Sequence, residues 1–215
     1  MTTEIGAGMR GVPLPSPLYS QRQAGKGTDM AGREVLKIGG SDREEFLQGL
    51  VTNDVARARD GLVYAALLSP QGKYLADFFL FETGDHILLD ADAEQAPGLA
   101  RRLAMYKLRA DVTIEPTELK VSRGTGPAPK GALTDPRHPD LGWRAYGSDP
   151  EVGNTDWDAI RVAHCIPEAG VELIPDASYP LEAGFERLAG VDFRKGCYVG
   201  QEVTARMKHK TELRK

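Results

Sequence analysis

The chain has few cysteines and no long apolar run, and both shortages limit the classes of protein it can belong to. Its two cysteines, Cys165 and Cys197, cannot build a disulfide framework, and neither lies in a CxxC pair. That usage fits a reducing compartment. No apolar run approaches the roughly 20 residues of a membrane span, and the N-terminus lacks the basic-then-apolar pattern of a secretion signal. We therefore expect a soluble, cytoplasmic protein without a membrane partner.

The sequence also lacks metal-ligand spacing and an excess of positive charge. Its four histidines are scattered, and His164 beside Cys165 makes a poor ligand pair because neighbouring helical residues point about 100° apart. We expect no metal site. The formal charge of −4 argues against general nucleic-acid binding. The basic residues near the C-terminus form either a solvated tail or a contact surface; they are Arg206, Lys208, His209, Lys210, Arg214 and Lys215.

The 215 residues that are present suffice for one large domain or two small interlocked ones. Residues 1–30, rich in Gly, Pro, Ser and Gln, are expected to form a flexible leader, with a transit peptide as the alternative. The order of elements that follows predicts an α+β fold, with helices on one face of a mainly antiparallel sheet. The expected strands are 33–38, 62–68, 73–82, 86–90, 111–115 and 119–122. The expected helices are 41–51, with Ser41 and Glu44 as a capping box, and 92–109, with Leu99, Leu103 and Tyr106 buried.

Proline and glycine mark a boundary between two predicted lobes. The first lobe covers 31–123, the segment 124–140 is a predicted boundary loop, and the second lobe covers 141–215. The elements expected in the second lobe are a strand over 142–146 and a helix over 155–165, capped by Thr155 or Asn154.

Residues 195–202 combine more reactive and ligand-shaping side chains than any other stretch. The sequence of this octapeptide is Lys-Gly-Cys-Tyr-Val-Gly-Gln-Glu. It holds a thiol, a cation, an aromatic ring, an amide, a carboxylate and two glycines, Gly196 and Gly200, that let a backbone bend or approach a ligand. A run that served packing alone would not need these types together. We predict that the octapeptide forms a wall of a ligand site.

The octapeptide is similar to the signature of the YgfZ-type folate-binding proteins, relatives of the aminomethyltransferase (T-protein) of the glycine cleavage system. The resemblance covers about residues 33–210. It implies a T-protein-like fold, tetrahydrofolate or a one-carbon derivative as cofactor, and support of the assembly or repair of iron–sulfur enzymes, including tRNA-modifying ones. Folate and iron–sulfur client or assembly proteins are the implied partners. The supporting segments are 46–54 (FLQGLVTND), 70–73 (PQGK), 106–109 (YKLR), 170–174 (GVELI) and 180–184 (PLEAG).

A pterin with a negatively charged glutamyl tail suits the residues of this signature. Such a ligand needs an apolar or aromatic face, an amide or carboxylate at the ring edge, and cations at the tail. We expect Tyr198, Gln201 and Glu202 to contact the ring. The cations expected at the tail are Lys195, Arg206, Lys107 and Arg109.

Three further polar residues are candidates for the same site. Asn53 and Asp54, near the end of the first helix, are either capping residues or polar groups at the cavity mouth. The T-protein has paired aspartates where this chain has Ala76 and Asp77. The loss of one carboxylate leaves less to orient or deprotonate an aminomethyl donor. Asp77 is expected to contact the ligand, whereas glycine-cleavage turnover is disfavoured.

Cys197 is the candidate reactive residue, and Lys195 is its candidate helper. A cation two positions away favours the thiolate if both side chains face one cavity. The thiolate would react with a carbon carried on the folate, or touch a cluster or its sulfur. A single cysteine is a poor permanent anchor, because clusters usually take about four ligands. Cys165 has no such setting and is expected in the core.

Two other functions stay open. One is folate-dependent aminomethyl transfer, as in the T-protein. The other is a non-catalytic scaffold that binds an assembly factor through the basic tail and has no folate affinity. The family usually continues into a small β-barrel, and this chain stops at Lys215. Either the C-terminal barrel is missing or the sequence is a short fragment, and one side of the expected cavity is then unaccounted for.

Overall fold

The structure is a computed structural model that describes residues 32–147 and 155–210. It is an α+β protein with antiparallel sheets and packed helices, which confirms the predicted fold class. The predicted leader, residues 1–30, lies outside the described residues. The strands are β1 Arg33–Gly39, β2 Val63–Leu68, β3 Tyr74–Thr83, β4 His86–Asp92, β5 Thr113–Pro116, β6 Lys120–Gly124, β7 Leu133–Thr134 and β8 Trp143–Gly147. The helices are α1 Arg43–Gln48, α2 Ala96–Lys107, α3 Trp157–Ala163 and α4 Gln201–Lys210, with 3-10 turns at Val55–Arg59 and Pro139–Leu141.

The larger sheet has five antiparallel strands in the order β2-β3-β4-β1-β5. Successive residues of a strand point to opposite faces. In β3, Phe78 and Leu80 enter one apolar cluster, and Phe79 and Phe81 enter the other. Both faces of this sheet are therefore covered, and β2 is buried along its whole length.

One face of the sheet is covered by α1, α2 and the first 3-10 turn. Pro97 lies in the first turn of α2, where its missing N–H has no intrahelical partner to lose. Leu99 and Leu103 are buried as predicted, but Tyr106 is 39% exposed. Its expected burial was wrong, because the apolar cluster on this face includes Leu103 and not the last turn of α2.

The other face carries the small sheet, in the order β6-β8-β7, and the chain that follows it. Phe81 of the large sheet packs on Tyr146 of β8, with ring centroids 4.3 Å apart. Leu173 and Phe185 join the same cluster from the irregular segment between α3 and α4. Residues of both predicted lobes thus share one apolar core.

A buried network of charges lies in this core, on the face of the large sheet that carries the small sheet; we call it the second core. Asp90 accepts from Arg33 at 2.6 Å and from Arg144 at 3.1 Å, and Asp135 accepts from Arg144 at 3.1 Å and from Arg137 at 2.7 Å. Burial alone would raise the pKa of Asp135, but the charges of Arg137 and Arg144 outweigh it and hold that pKa well below its usual range. The arginines thus keep both aspartates paired inside the protein.

Three local expectations differ from the structure. The capping box does not form, because the Ser41 hydroxyl donates to Asp111 and no side chain caps α1. The N-cap of α3 is Asp156, which accepts from Ala159 N, and not Thr155; Asn154 lies outside the described residues. The predicted boundary loop, 124–140, contains β7, which pairs with β8, and the start of the second 3-10 turn.

No helix in the two described ranges combines the length and apolarity that crossing a membrane requires.

Candidate functional site

The octapeptide is anchored by Lys195, whose side chain points inward. Its ammonium donates to the carbonyl of Gln48 at 2.7 Å and to that of Val51 at 2.6 Å. Helix C-termini leave carbonyls without intrahelical partners, and a cation there is also favoured by the helix dipole. Burial lowers the pKa of Lys195 to about 8, against the opposing attraction of Asp54 and Asp192. Lys195 thus satisfies carbonyls at and just beyond the end of α1, and its expected contact with a ligand tail stays a prediction.

The residues after Lys195 pass from the protein surface to the core. Cys197 is exposed, whereas Tyr198 is 8% exposed and belongs to the second apolar cluster. The ring of Tyr198 lies 5.0 Å from the Lys195 ammonium, within cation–π range. Burial raises the pKa of Tyr198. A thiol is therefore presented on the surface by a loop whose neighbouring side chains are buried.

The segment 46–54 holds the same loop from the other side. Thr52 donates its hydroxyl to Gly190 O at 2.7 Å, and its backbone carbonyl accepts from Asp192 N. Asn53 Nδ2 donates to Tyr64 O and to Ala189 O. The segment 46–54 and the chain that leads into the octapeptide, although far apart in sequence, are therefore held together by hydrogen bonds. Asn53 is buried in this role.

Asp54 caps the first 3-10 turn, accepting from Ala56 N and from the Gln48 amide. Of the two interpretations left open for Asn53 and Asp54, the structure displays the capping and bridging contacts.

The turn at residues 69–72 packs against the end of the octapeptide. Gly200 has φ +84°, a left-handed conformation that side chains rarely adopt. A Cβ at Gly200 would lie 2.6 Å from Ser69 O, and a Cβ at Gly72 would lie 2.7 Å from Val203. Gly196, in contrast, has open space around it. Gly200 is needed for close backbone packing, and Gly196 is not.

The remaining polar residues of the octapeptide lie on the first turns of α4. The Glu202 side chain is 83% exposed and pairs with Arg206, four residues on, at 2.7 Å. Gln201 Nε2 makes a long contact of 3.5 Å with Gly196 O. Glu202 and Arg206 thus pair with each other in solvent, and the expected contacts of these residues with a folate ring and tail stay predictions.

Asp77 lies in the interior, 6% exposed, on the β3 face that meets the second core. It accepts from Tyr64 OH at 3.0 Å and from Tyr74 OH at 2.6 Å. Burial and the adjacent carboxylate raise the pKa of both tyrosines. Ala76 enters the helix-side core instead, so the two neighbouring positions face opposite ways.

Lys107 and Arg109 lie at the end of α2. Arg109 is exposed, and the Lys107 charge helps lower the pKa of Asp111 after the larger effect of the Ser41 backbone and side-chain hydrogen bonds. Leu108 between them has φ +44° and is 89% exposed. Of the predicted site, the structure therefore joins Lys195, Cys197 and Tyr198 with the segment 46–54. Asp77, Lys107, Glu202 and Arg206 interact with other residues, and Arg109 is exposed.

A cavity of about 680 Å³ lies on the segment between α3 and α4, away from the octapeptide. Cys165 is among its lining residues and is exposed, so its expected place in the core was wrong. Its φ of +50° lies in the left-handed region, just after the end of α3. The Pro167 and Gly170 that follow are a turn signal in the sequence, and they were the available hint.

A second feature that the sequence pattern missed is a pair of histidines. His138 and His164 stack with ring centroids 3.7 Å apart, next to Asp140. The expectation of scattered histidines was wrong for this pair. The 26 positions that separate them carry no spacing signal.

These features define an α+β protein whose late loop exposes one thiol and is locked by hydrogen bonds to an early helix end. Two similar proteins are named iron–sulfur cluster assembly factor IBA57, mitochondrial, or its homolog. The one from Mycosarcoma maydis is 33% identical over 219 residues, covering 85% of this chain and 54% of that protein. The human protein is 32% identical over 225 residues, covering 86% of this chain and 63% of that protein. The chain thus spans between half and two thirds of these relatives.

The relatives correct one expectation. They are named as mitochondrial proteins, which contradicts the predicted cytoplasmic location and points to the mitochondrion. No family model matches the chain. A solved structure of the glycine cleavage system aminomethyltransferase T from Bartonella henselae is similar, with TM-score 0.41 and 19% identity, over 43% of this chain and 26% of that one.

Proposed function

We propose that the chain supports iron–sulfur cluster assembly by presenting the Cys197 thiol to a cluster-carrying partner protein. The observation that supports this role is the exposed thiol on an anchored loop. Lys195 and Tyr198 are turned inward on either side of Cys197. The names of the relatives, iron–sulfur cluster assembly factors, agree with such a role.

A fixed loop suits this task because a cluster ligand must meet iron at a defined distance and angle. The hydrogen bonds of Lys195 and Asn53 hold the backbone on both sides of the thiol. The loop is then already ordered before the partner binds, so the free energy of binding is not reduced by the entropy cost of ordering it.

One thiol cannot hold a cluster alone, since iron–sulfur clusters usually take about four protein ligands. The other cysteine, Cys165, lines the separate cavity between α3 and α4. The remaining ligands must therefore come from the partner, so the cluster would be shared between two proteins during transfer.

Replacing Cys197 tests this role, and Cys165 provides a matched control because both thiols are exposed. The chain is mixed anaerobically with a cluster-loaded carrier protein, and visible absorption is followed through gel filtration. We expect Cys197→Ser to lose the coloured complex while keeping its thermal stability, and Cys165→Ser to keep both. A Cys197→Ser chain that forms the complex normally would remove the thiol from the role.

Folate binding, the YgfZ-type assignment and tRNA-modifying clients stay predictions of the sequence resemblance. The buried Asp77 between two tyrosine hydroxyls is the feature that supports a pterin site. Each carboxylate oxygen accepts one tyrosine hydroxyl and keeps a further lone pair that a ligand N–H group could reach. Anaerobic titration with tetrahydrofolate, comparing wild type with Asp77→Asn, tests this; no binding by the wild type would refute it.

Aminomethyl transfer gains less support. Ala76, which stands where the T-protein has the first aspartate of the pair, is 3% exposed in the helix-side core. A carboxylate there would be buried among apolar side chains, away from Asp77.

A further inference from the structure

We propose that His138, Asp140 and His164 bind a divalent first-row transition cation such as Zn²⁺, with water completing the coordination. One potential ligand atom from each residue lies within 4.8 Å of the other two. Imidazole nitrogen and carboxylate oxygen are the ligands that Zn²⁺ and Fe²⁺ accept readily.

The distances are close to those of a bound site. Four tetrahedral ligands at about 2.0–2.1 Å from Zn²⁺ lie about 3.3 Å from one another. Asp140 Oδ2 is 2.7 Å from His164 Nε2 and 3.9 Å from His138 Nδ1. Shifts of well under 1 Å along these two vectors therefore bring the pairs to coordination spacing.

The hydrogen bonds of the three residues show which proton and which contact a metal replaces. Asp140 Oδ2 and His164 Nε2 share one proton at 2.7 Å, and a cation takes its place between them. His138 Nδ1 accepts from Asp140 N at 3.2 Å. Ligation by either nitrogen of His138 ends that contact, because Nδ1 either binds the metal or becomes protonated in the other tautomer. The freed N–H is exposed and water can satisfy it.

The two rings also have to leave their stack. Their planes are 23° apart and 3.7 Å between centroids, so their lone pairs run side by side and do not yet converge. The side chains of His138 and His164 are 30% and 29% exposed, and that of Asp140 is 61% exposed. Rotation of a ring is therefore open at this surface, as is access for the cation and for water.

The backbone that carries the ligands is well defined. His138 and Asp140 flank Pro139, which begins the second 3-10 turn, and His164 is the C-cap of α3. A bound cation would join these two elements across 24 positions of sequence. It should therefore raise the thermal midpoint as well as bind.

The test uses the full chain, stripped with a chelator and kept reduced, with Co²⁺ as a spectroscopic probe and Zn²⁺ in equilibrium dialysis. We expect one tight equivalent per chain, with the d–d bands of nitrogen and oxygen ligation and a higher thermal midpoint with Zn²⁺. His138→Ala and His164→Ala should each weaken binding about tenfold or more. The matched control is His86→Ala, since His86 also pairs with a neighbouring carboxylate, Asp85, at 2.9 Å but has no second histidine in a described cluster.

Two further variants separate ligation from folding and from the thiols. Asp140→Asn keeps a hydrogen-bond acceptor for His164 and should still weaken metal binding. Cys165→Ser combined with Cys197→Ser should leave it unchanged. The proposal is overturned if no stoichiometric binding occurs, if His86→Ala weakens binding as much as His164→Ala, or if the metal is lost with the thiols and the Co²⁺ spectrum shows sulfur charge transfer.

Discussion

Replacing Lys195 by methionine should remove the hydrogen bonds that hold the octapeptide to the end of α1, while keeping an aliphatic side chain of similar length. The substitution removes hydrogen bonds to Gln48 O and Val51 O at 2.7 and 2.6 Å. Each hydrogen bond to a charged donor contributes about 1.5–3 kcal/mol, and relief of the buried charge offsets part of their sum. We expect a loss of about 2–4 kcal/mol in the free energy of unfolding.

Urea denaturation followed by tryptophan fluorescence and far-UV circular dichroism measures this loss. Lys120→Met is the control, because Lys120 is exposed on β6, and surface charges contribute at most about 1 kcal/mol. Equal midpoints for Lys195→Met and wild type, or equal losses in the two variants, would refute the anchoring role of Lys195.

The stability difference between wild type and Lys195→Met should also depend on pH. Burial lowers the pKa of Lys195 to about 8 in the folded chain, from an ordinary value of 10.5. Between these values the unfolded chain binds one more proton than the folded chain, so wild-type stability relative to Lys195→Met rises with pH. A gap between the two proteins that stays constant from pH 7 to about 10 would contradict this.

Two other changes follow from the packing. Asp135→Asn should destabilise the chain by about 3–5 kcal/mol, because it leaves Arg137 and Arg144 buried with one negative charge fewer. In thermal melts the difference in melting temperature between wild type and Asp135→Asn should have its full size above about pH 4. It should shrink as the pH falls towards the lowered pKa of Asp135. Gly200→Ala should lose about 1–3 kcal/mol because of its φ of +84° and its close backbone neighbour, whereas Gly196→Ala should stay near wild type. Equal melting temperatures for the two glycine variants would show that the conformation of Gly200 is not required.

The strands were predictable because their signals are local. The continuous apolar run of β3, residues 78–81, and the turn at 69–72 lie within a few positions of one another, and they indicate the hairpin. The fate of Lys195 was not predictable in the same way. Its acceptors lie 144 and 147 positions away, and no pattern near Lys195 shows that α1 ends there with unpaired carbonyls.

The candidate site was predicted in part for the same reason. The octapeptide and the segment 46–54 were both singled out from the sequence, and they do meet. The expected use of Glu202 and Arg206 overlooked that residues four apart on a helix pair with each other. The histidine pair escaped notice because the turn that delivers His138 to His164 is set by tertiary packing.

The bond from Thr52 to Gly190 spans 138 positions of the chain. A contact of such long range forms only when a large loop closes, which costs conformational entropy. A chain that is still being synthesised, or one that is damaged in either half, cannot hold the Cys197 loop in place. The exposed Cys197 thiol therefore reaches its final position only after distant parts of the described chain have come together.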